Sequence, residues 1–77
     1  MKYSIAIVDN HKLFCDGLSS LFSQNEEFDL NGVYSTGNQF INALHKIHID
    51  ILLIDSSLPD MSGMELIKKI RNTMTCI

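Results

Sequence analysis

Two short, unbroken runs of apolar residues stand out in the hydrophobic pattern, at positions 5–8 and 51–54. Each run is followed at once by an aspartate, Asp9 in the first case and Asp55 in the second. Short runs without polar alternation are typical of strands buried on both faces, as in a parallel sheet. We therefore predict strands over 4–8 and 51–54. Residues 28–34 alternate at their start, which indicates a further strand at an edge of the sheet.

The segments that separate and follow these strands carry apolar residues at helical spacing. We predict a helix over 12–24, a second helix after a turn at 35–38, and a third over 64–72. The inward faces predicted by this spacing are Phe14, Leu18, Leu21 and Phe22 in the first helix, Phe40, Ala43, Leu44 and Ile47 in the second, and Leu66, Ile67 and Ile70 in the third. Thr36 and Asn38 are both candidates for the N-cap of the second helix.

The predicted order is β-α-β-α-β-α, which favours an α/β fold with a parallel sheet and helices on its faces. Gly17 lies inside the first predicted helix, where glycine costs about 1 kcal/mol relative to alanine, so we expect a close packing contact there. Residues 73–77 have the pattern of the start of a further strand. The chain contains no internal repeat and no linker.

Composition restricts the class of protein. The chain has 77 residues, enough for one small domain, and its 45% hydrophobic content with a net charge of −3 argues against disorder. The mild acidity also argues against contact with nucleic acid by this chain, because nucleic-acid-binding modules carry clustered basic surfaces. Lys68, Lys69 and Arg71 lie close together, and we interpret them as a solvated helix face.

The two cysteines, Cys15 and Cys76, are far apart and show no metal-ligand spacing. No apolar run is long enough for a signal-peptide core or a membrane span. We therefore expect a cytoplasmic protein with reduced thiols and no membrane contact.

The aspartates that follow the two apolar strands are the candidate chemistry. In an open α/β sheet, ligands bind beyond the carboxyl ends of the strands. If the two strands are neighbours, Asp9 and Asp55 converge there, and Mg²⁺ is a natural cation between them. A carboxylate beside Mg²⁺ can act as a nucleophile toward a phosphoryl donor. The alternative is that each aspartate is an ordinary turn or cap residue.

Two blocks of sequence resemble the receiver domain of two-component response regulators. The block DILLIDSSLPDMSGMEL at 50–66 resembles the phosphoacceptor block, where an apolar strand ends in the accepting aspartate and Pro and Gly follow four and eight residues later. The block IVDNHKLFCDGL at 7–18 resembles the acidic block that opens these domains. The histidine and the Gly-Leu pair are most similar to regulators with a LuxR-type helix-turn-helix output domain.

The resemblance implies a partial flavodoxin-like receiver fold, with three βα units over 1–77 and sheet order 2-1-3. It makes Asp55 the phosphoryl acceptor, and it assigns Mg²⁺ to Asp9, Asn10, Asp55 and the backbone carbonyl of Ser57. Asn10 stands where the family places a second acid, so we expect weaker Mg²⁺ binding. Pro59 would fix the shape of the loop after the acceptor.

The resemblance covers the first three βα units of a five-unit fold. The switch Ser or Thr and the invariant Lys of the family fall beyond Ile77, so we expect a truncated receiver domain. The third strand then has an open apolar edge, and we expect a homodimer that pairs there or a domain-swapped oligomer. DNA contact would come from an output domain outside this chain.

Three functions compete at this point. The first is a signalling receiver, not a turnover enzyme, that takes a phosphoryl group on Asp55 from a sensor histidine kinase. The second is an interaction or dimerisation module that keeps the fold without phosphorylation, which Asn10 favours. The third is a phosphatase of the haloacid-dehalogenase type, which needs a second aspartate where this chain has Ser57.

Overall fold

The computed structural model describes residues 2–73 and confirms the α/β order. The elements are β1 (Tyr3–Val8), α1 (Lys12–Ser23), β2 (Phe28–Tyr34), α2 (Gly37–Ala43), a 3₁₀ turn (Leu44–Lys46), β3 (Ile51–Ile54) and α3 (Gly63–Thr73). The sheet is parallel and its order is β2-β1-β3, as the resemblance implied. Because β1 lies in the centre, it is the strand that is buried on both faces.

Alternate residues of β1 enter two apolar clusters on opposite faces of the sheet. Ile5 and Ile7 pack with Cys15 of α1 on one face. The cluster on the other face, which α2 and α3 cover, consists of Ala6, Val8, Phe40, Leu44, Leu58, Met61, Leu66 and Ile70. The unbroken apolar run of β1 is therefore explained by helices on both sides of it.

The first helix forms where the spacing predicts, but fewer of its apolar side chains face the sheet than the spacing predicts. Cys15, Leu18 and Phe22 pack against the sheet. Phe14 and Leu21, which the spacing placed inward, are 56% and 65% exposed, so that part of the prediction was wrong. The reason is that α1 contacts one face of a three-stranded sheet, and no described element covers its other side.

A β-bulge in the second strand changes the face of the sheet that its partly buried side chains enter. Leu30 and Gly32 oppose consecutive residues of β1, which leaves Asn31 without a partner in the register. The bulge moves the following side chains to the other face, where the ring of Tyr34 meets that of Phe40 edge-on, with centroids 5.4 Å apart. The predicted edge position of β2 is confirmed.

Two local expectations were wrong, and the structure decides between the two N-cap candidates of α2. Nothing lies within 4 Å of a Cβ built on Gly17, so no packing contact explains that glycine. The second helix gives way to the 3₁₀ turn, and Ile47 packs on the core from extended backbone (φ −132°, ψ 153°). Thr36 is the N-cap, since its side chain accepts a hydrogen bond from Gln39 N–H, while Asn38 lies within the helix.

The third strand and third helix confirm their predicted positions, and Leu66 and Ile70 are buried as expected. Ile51 and Leu53 of β3 remain 36% and 40% exposed, because α1 does not cover the outer strand. Residue 73 belongs to α3 rather than to a new strand. The rest of that predicted strand, and Cys76 with it, lies outside the described residues. Within 2–73, no helix combines the length and apolarity that crossing a membrane requires.

Candidate functional site

The carboxyl ends of β1 and β3 lie side by side, and an aspartate follows each. Val8 pairs with Ile54 in parallel register, and the Asp55 N–H donates to the Val8 carbonyl at 2.9 Å. The Asp9 N–H donates to the carbonyl of Tyr34 on the other side of β1, also at 2.9 Å. The two aspartates therefore leave one edge of the sheet together, and their expected convergence is confirmed.

His11 joins the two carboxylates. Its ring Nδ1 lies 2.6 Å from Asp9 Oδ1 and 3.4 Å from Asp55 Oδ2. Its backbone N–H also donates to Asp9 Oδ1, at 2.9 Å. The Asp9 and Asp55 side chains are 10% and 18% exposed, whereas that of His11 is 68% exposed. The result is an Asp-His-Asp cluster that is enclosed at the sheet and open to solvent at the imidazole.

The two oxygens of Asp55 differ in their surroundings. Oδ1 accepts the Ser57 N–H at 3.3 Å. Oδ2 is buried and accepts no hydrogen bond from the described residues, because the His11 ring nitrogen is not aligned for one. A buried carboxylate oxygen without a donor or a cation is costly, since it has lost water without replacement. The site therefore favours a positive group beside Oδ2.

The electrostatics of the cluster are set by the contact between Asp9 and His11. Burial acts to raise the pKa of Asp9, but the hydrogen bonds from the His11 backbone and ring, together with the charge of the ring, hold this pKa below its ordinary value. The hydrogen bond to Asp9 raises the pKa of His11, with further contributions from the charges of Asp9 and Asp55, against a small opposing effect of burial. A protonated His11 thus compensates both carboxylates.

Basic side chains do not reach Asp55 within the described part of the chain. No lysine or arginine nitrogen there lies at ion-pair distance from Asp55. Lys12 and Lys68 are exposed, as expected for solvated lysines. The positive partner that the described residues offer is therefore the imidazole.

The loop after Asp55 is anchored at both of its ends. The Leu58 N–H donates to the Met61 carbonyl at 3.0 Å, and both side chains are buried in the core. The Gly63 N–H donates to the Ser56 carbonyl at 2.9 Å. A Cβ on Gly63 would lie 2.6 Å from the Asp55 carbonyl oxygen, so this position requires glycine for space. Pro59 is exposed at the tip of the loop.

Asp60 ties this loop to α2. Its carboxylate accepts hydrogen bonds from the backbone N–H groups of Gly37 and Asn38, each at 2.9 Å. The hydrogen bonds from Asn38 and then Gly37 hold the pKa of Asp60 below its ordinary value, against a smaller effect of burial. The N–H groups in the first turn of a helix have no carbonyl acceptor within the helix, so Asp60 supplies the acceptor that they lack. The loop that follows Asp55 is therefore connected directly to α2.

Sequence reasoning found part of this site. It named Asp9 and Asp55, which the fold brings together. It named Ser57 for its backbone carbonyl, and the contact that the structure gives is from the Ser57 N–H to Asp55 Oδ1. Asn10 is exposed, and among the described residues no hydrogen bond of its side chain joins it to the aspartates. The role of His11 was missed. The sequence did hold a signal for this contact, because His11 follows Asp9 by two residues. An aspartate side chain often accepts a hydrogen bond from the backbone N–H two residues later.

The donor set fits a divalent cation. Two carboxylates converge and one of their oxygens is orphaned, which is the arrangement that a hard cation with oxygen ligands would complete. The side chains that reach this point are those of Asp9, His11 and Asp55, whose donor atoms all lie within 4.8 Å of one another.

Comparison with known proteins agrees with the fold. Residues 5–76 match the family model described as the response regulator receiver domain. Relatives include the probable transcriptional regulatory protein SgaR of Hyphomicrobium methylovorum, 30% identical over 91% of this chain and 33% of its own length. The regulatory protein VanRc of Enterococcus gallinarum is 37% identical over 95% of this chain and 31% of its own length. The chain thus spans about a third of these relatives.

Solved structures of RcsB have the same fold. The chain matches RcsB from Salmonella enterica serovar Typhimurium bound to promoter P1flhDC with the phosphomimetic BeF₃⁻, at TM-score 0.85 and 26% identity, over 96% of this chain and 38% of that one. It also matches the non-phosphorylated receiver domain of RcsB from Escherichia coli, at TM-score 0.85 and 27% identity, over 94% of this chain and 57% of that one.

Proposed function

Because this chain belongs to the response regulator receiver domain family, we propose that Asp55 accepts a phosphoryl group from a sensor histidine kinase. Mg²⁺ would be held beside it by Asp9, Asn10, Asp55 and the backbone carbonyl of Ser57. Receiver domains are signalling domains, so the phosphorylated aspartate is the product that carries the signal rather than an intermediate of turnover.

The orphaned Oδ2 of Asp55 is the observation that carries the proposal. No described donor occupies its lone pairs, and it lies beyond the carboxyl end of β3, 3.4 Å from the Nδ1 atom of the exposed His11 ring. In the transfer, a bond forms between an Asp55 oxygen and phosphorus, and the bond from phosphorus to the kinase imidazole nitrogen breaks. That nitrogen leaves with the bonding electron pair and takes a proton. The charge of bound Mg²⁺ would stabilise the transferring group.

The residues around Asp55 prepare it for this step. Asp9 lies close enough to share a cation with Asp55, and the Ser57 N–H holds the other carboxylate oxygen. Gly63 leaves room for the Asp55 carbonyl, which fixes the start of the acceptor loop against α3. Positioning of this kind is the main contribution that a protein makes to phosphoryl transfer.

Phosphorylation with a small donor tests the proposal directly. The purified 77-residue chain is incubated with acetyl phosphate and Mg²⁺ and weighed intact, and peptide mapping locates the modification. We expect a gain of one phosphoryl group that disappears in Asp55→Asn and when a chelator removes Mg²⁺. The matched control is Asp29→Asn, an exposed aspartate of β2, which should be modified like the parent. An unmodified parent chain, or modification that persists in Asp55→Asn, contradicts the proposal.

The whole protein of which this chain is the receiver part would be a transcriptional regulator. The relatives are named as transcriptional regulatory proteins, and RcsB was solved bound to promoter DNA. The chain spans only about a third of the curated relatives, so we assign DNA contact to the part of such a protein that follows the receiver domain.

A second candidate is an interaction or dimerisation module without phosphorylation. Two observations favour it: the amide of Asn10 in place of an acid, and the open edge of β3 with Ile51 and Leu53 partly exposed. The experiment with acetyl phosphate separates the two candidates, because the interaction module functions without modification of Asp55, whereas the receiver requires it.

A further inference from the structure

Position 10 leaves the metal site short of one negative ligand. Asn10 is exposed and carries a neutral amide, so two carboxylates remain, those of Asp9 and Asp55. Mg²⁺ binds hard, charged oxygen ligands and keeps several waters when they are few. A site with fewer charges holds it less tightly. What this chain has beside the two carboxylates is the imidazole of His11.

The His11 ring nitrogen lies at ligand spacing from Asp55 and within a few tenths of an ångström of it from Asp9. Two ligands bound at right angles to one ion, each about 2.1 Å from it, lie about 3.0 Å apart, and tetrahedral ligands about 3.4 Å apart. Nδ1 of His11 is 2.6 Å from Asp9 Oδ1 and 3.4 Å from Asp55 Oδ2. A cation that displaced the proton between His11 and Asp9 would therefore meet three donors after small side-chain movements.

We propose that His11 is a ligand of the divalent cation at Asp9 and Asp55, and that it shifts the preference of the site from Mg²⁺ toward cations that accept nitrogen. Imidazole suits Zn²⁺, Co²⁺ and Ni²⁺, whereas Mg²⁺ takes oxygen. The mixed Asp-His-Asp donor set and the amide at position 10 both act in this direction, while the buried, unpartnered Oδ2 of Asp55 offers an oxygen to any divalent cation. The inference rests on the proposed function, since it assumes that the cation site beside Asp55 is used.

Co²⁺ is the probe, because its paramagnetism shifts the proton signals of an imidazole that binds it. The 77-residue chain is titrated with Co²⁺ and, separately, with Mg²⁺ by calorimetry, and one-dimensional proton spectra are recorded with Co²⁺. The key variant is His11→Gln. The matched control is His48→Gln, because His48 also lies two residues from an aspartate, with Nε2 3.1 Å from Asp50 Oδ1, but at the other end of the sheet.

We expect the parent to bind Co²⁺ more tightly than Mg²⁺ and to show shifted imidazole signals. His11→Gln should lose those signals and weaken Co²⁺ binding by about tenfold or more, with little change for Mg²⁺, while His48→Gln retains both properties. Equal weakening for both cations, or shifted signals that survive in His11→Gln, would overturn the inference.

The outcome is independent of the phosphorylation experiment. Modification of Asp55 with Mg²⁺ but no Co²⁺-shifted imidazole leaves the proposed function in place and overturns the role of His11. A His11-dependent Co²⁺ site without modification of Asp55 supports the metal preference and contradicts the proposed acceptor.

Discussion

The backbone carbonyl of Asp55 lies so close to Gly63 that a Cβ on the glycine would be 2.6 Å from the carbonyl oxygen. The neighbouring atom is backbone, which cannot rotate away as a side chain would. The end of β3 and the start of α3 are therefore fitted to each other through the absence of a side chain. This contact joins Asp55 to the helix that follows it.

Gly63→Ala should accordingly destabilise the domain, by about 1–3 kcal/mol, because overpacking forces the backbone to shift. Urea unfolding followed by circular dichroism measures the change in the free energy of unfolding. The matched control is Gly17→Ala, since Gly17 lies in α1 with nothing within 4 Å of its Cβ position. That substitution should stabilise by about 0.5–1 kcal/mol, the helix propensity difference. Similar effects of the two changes would contradict the fit between Asp55 and Gly63.

Asp60 should make the stability of the domain depend on acid pH. Hydrogen bonds from the Asn38 and Gly37 N–H groups hold its pKa in the folded state below the ordinary value. Its stabilising contribution is therefore complete above the unfolded pKa, about 3.9, and is lost as the pH falls through the lower folded pKa.

Asp60→Asn tests this dependence. At neutral pH the variant should be less stable than the parent, and the difference should shrink as the pH is lowered below about 4, where the parent also loses the charge. Asp16→Asn, an exposed change of the same charge in α1, should leave stability at neutral pH unaltered. A difference between parent and Asp60→Asn that stays constant down to acid pH would show that the carboxylate charge does not stabilise α2.

The open edge of β3 should make the chain a dimer. β3 has no partner on its outer side within the described residues, and its side chain Leu53 is 40% exposed. Unpaired backbone groups beside apolar side chains are a template for pairing with a second copy. We expect a dimer at micromolar concentration by size-exclusion chromatography with light scattering.

Leu53→Lys should convert that dimer to a monomer, because charged side chains on an edge strand oppose pairing. Val33→Lys is the control, since Val33 has the same 40% exposure but lies on β2 at the opposite edge. A monomeric parent would refute pairing through either edge. A Leu53→Lys protein that remains dimeric would place the contact elsewhere.

The thiol of Cys15 should react slowly while the domain is folded. Cys15 is buried against β1, and its Sγ donates to the Asp9 carbonyl oxygen at 3.4 Å. Burial raises the pKa of this thiol, and the charges of Asp9 and Asp16 add to the effect. Because the thiolate is the reactive form, alkylation of the Cys15 peptide should be much slower in buffer than in urea. Equal rates in the two conditions would contradict the packing of α1.

The sequence by itself determined the elements and the acidic pair of this protein. The apolar runs before Asp9 and Asp55 specify strands, and strands of a parallel sheet end at a common edge. Only the run of β1 is covered on both faces, since Ile51 and Leu53 of β3 stay partly exposed. The order of the sheet and the assignment of Asp55 as acceptor came from two sequence blocks that resemble receiver domains. The match of residues 5–76 to the family bears out the resemblance.

Only the tertiary structure decided what surrounds the acidic pair. The same holds for the outer side of α1: helical spacing does not predict that Phe14 and Leu21 stay exposed, because their exposure depends on which elements cover the helix. Nor could the local pattern show that Asp60 reaches the first turn of α2, or that Oδ2 of Asp55 is orphaned. These contacts join residues that are distant in the chain. Their distances are fixed by the packing of helices on the sheet, which a local pattern of polar and apolar residues does not contain.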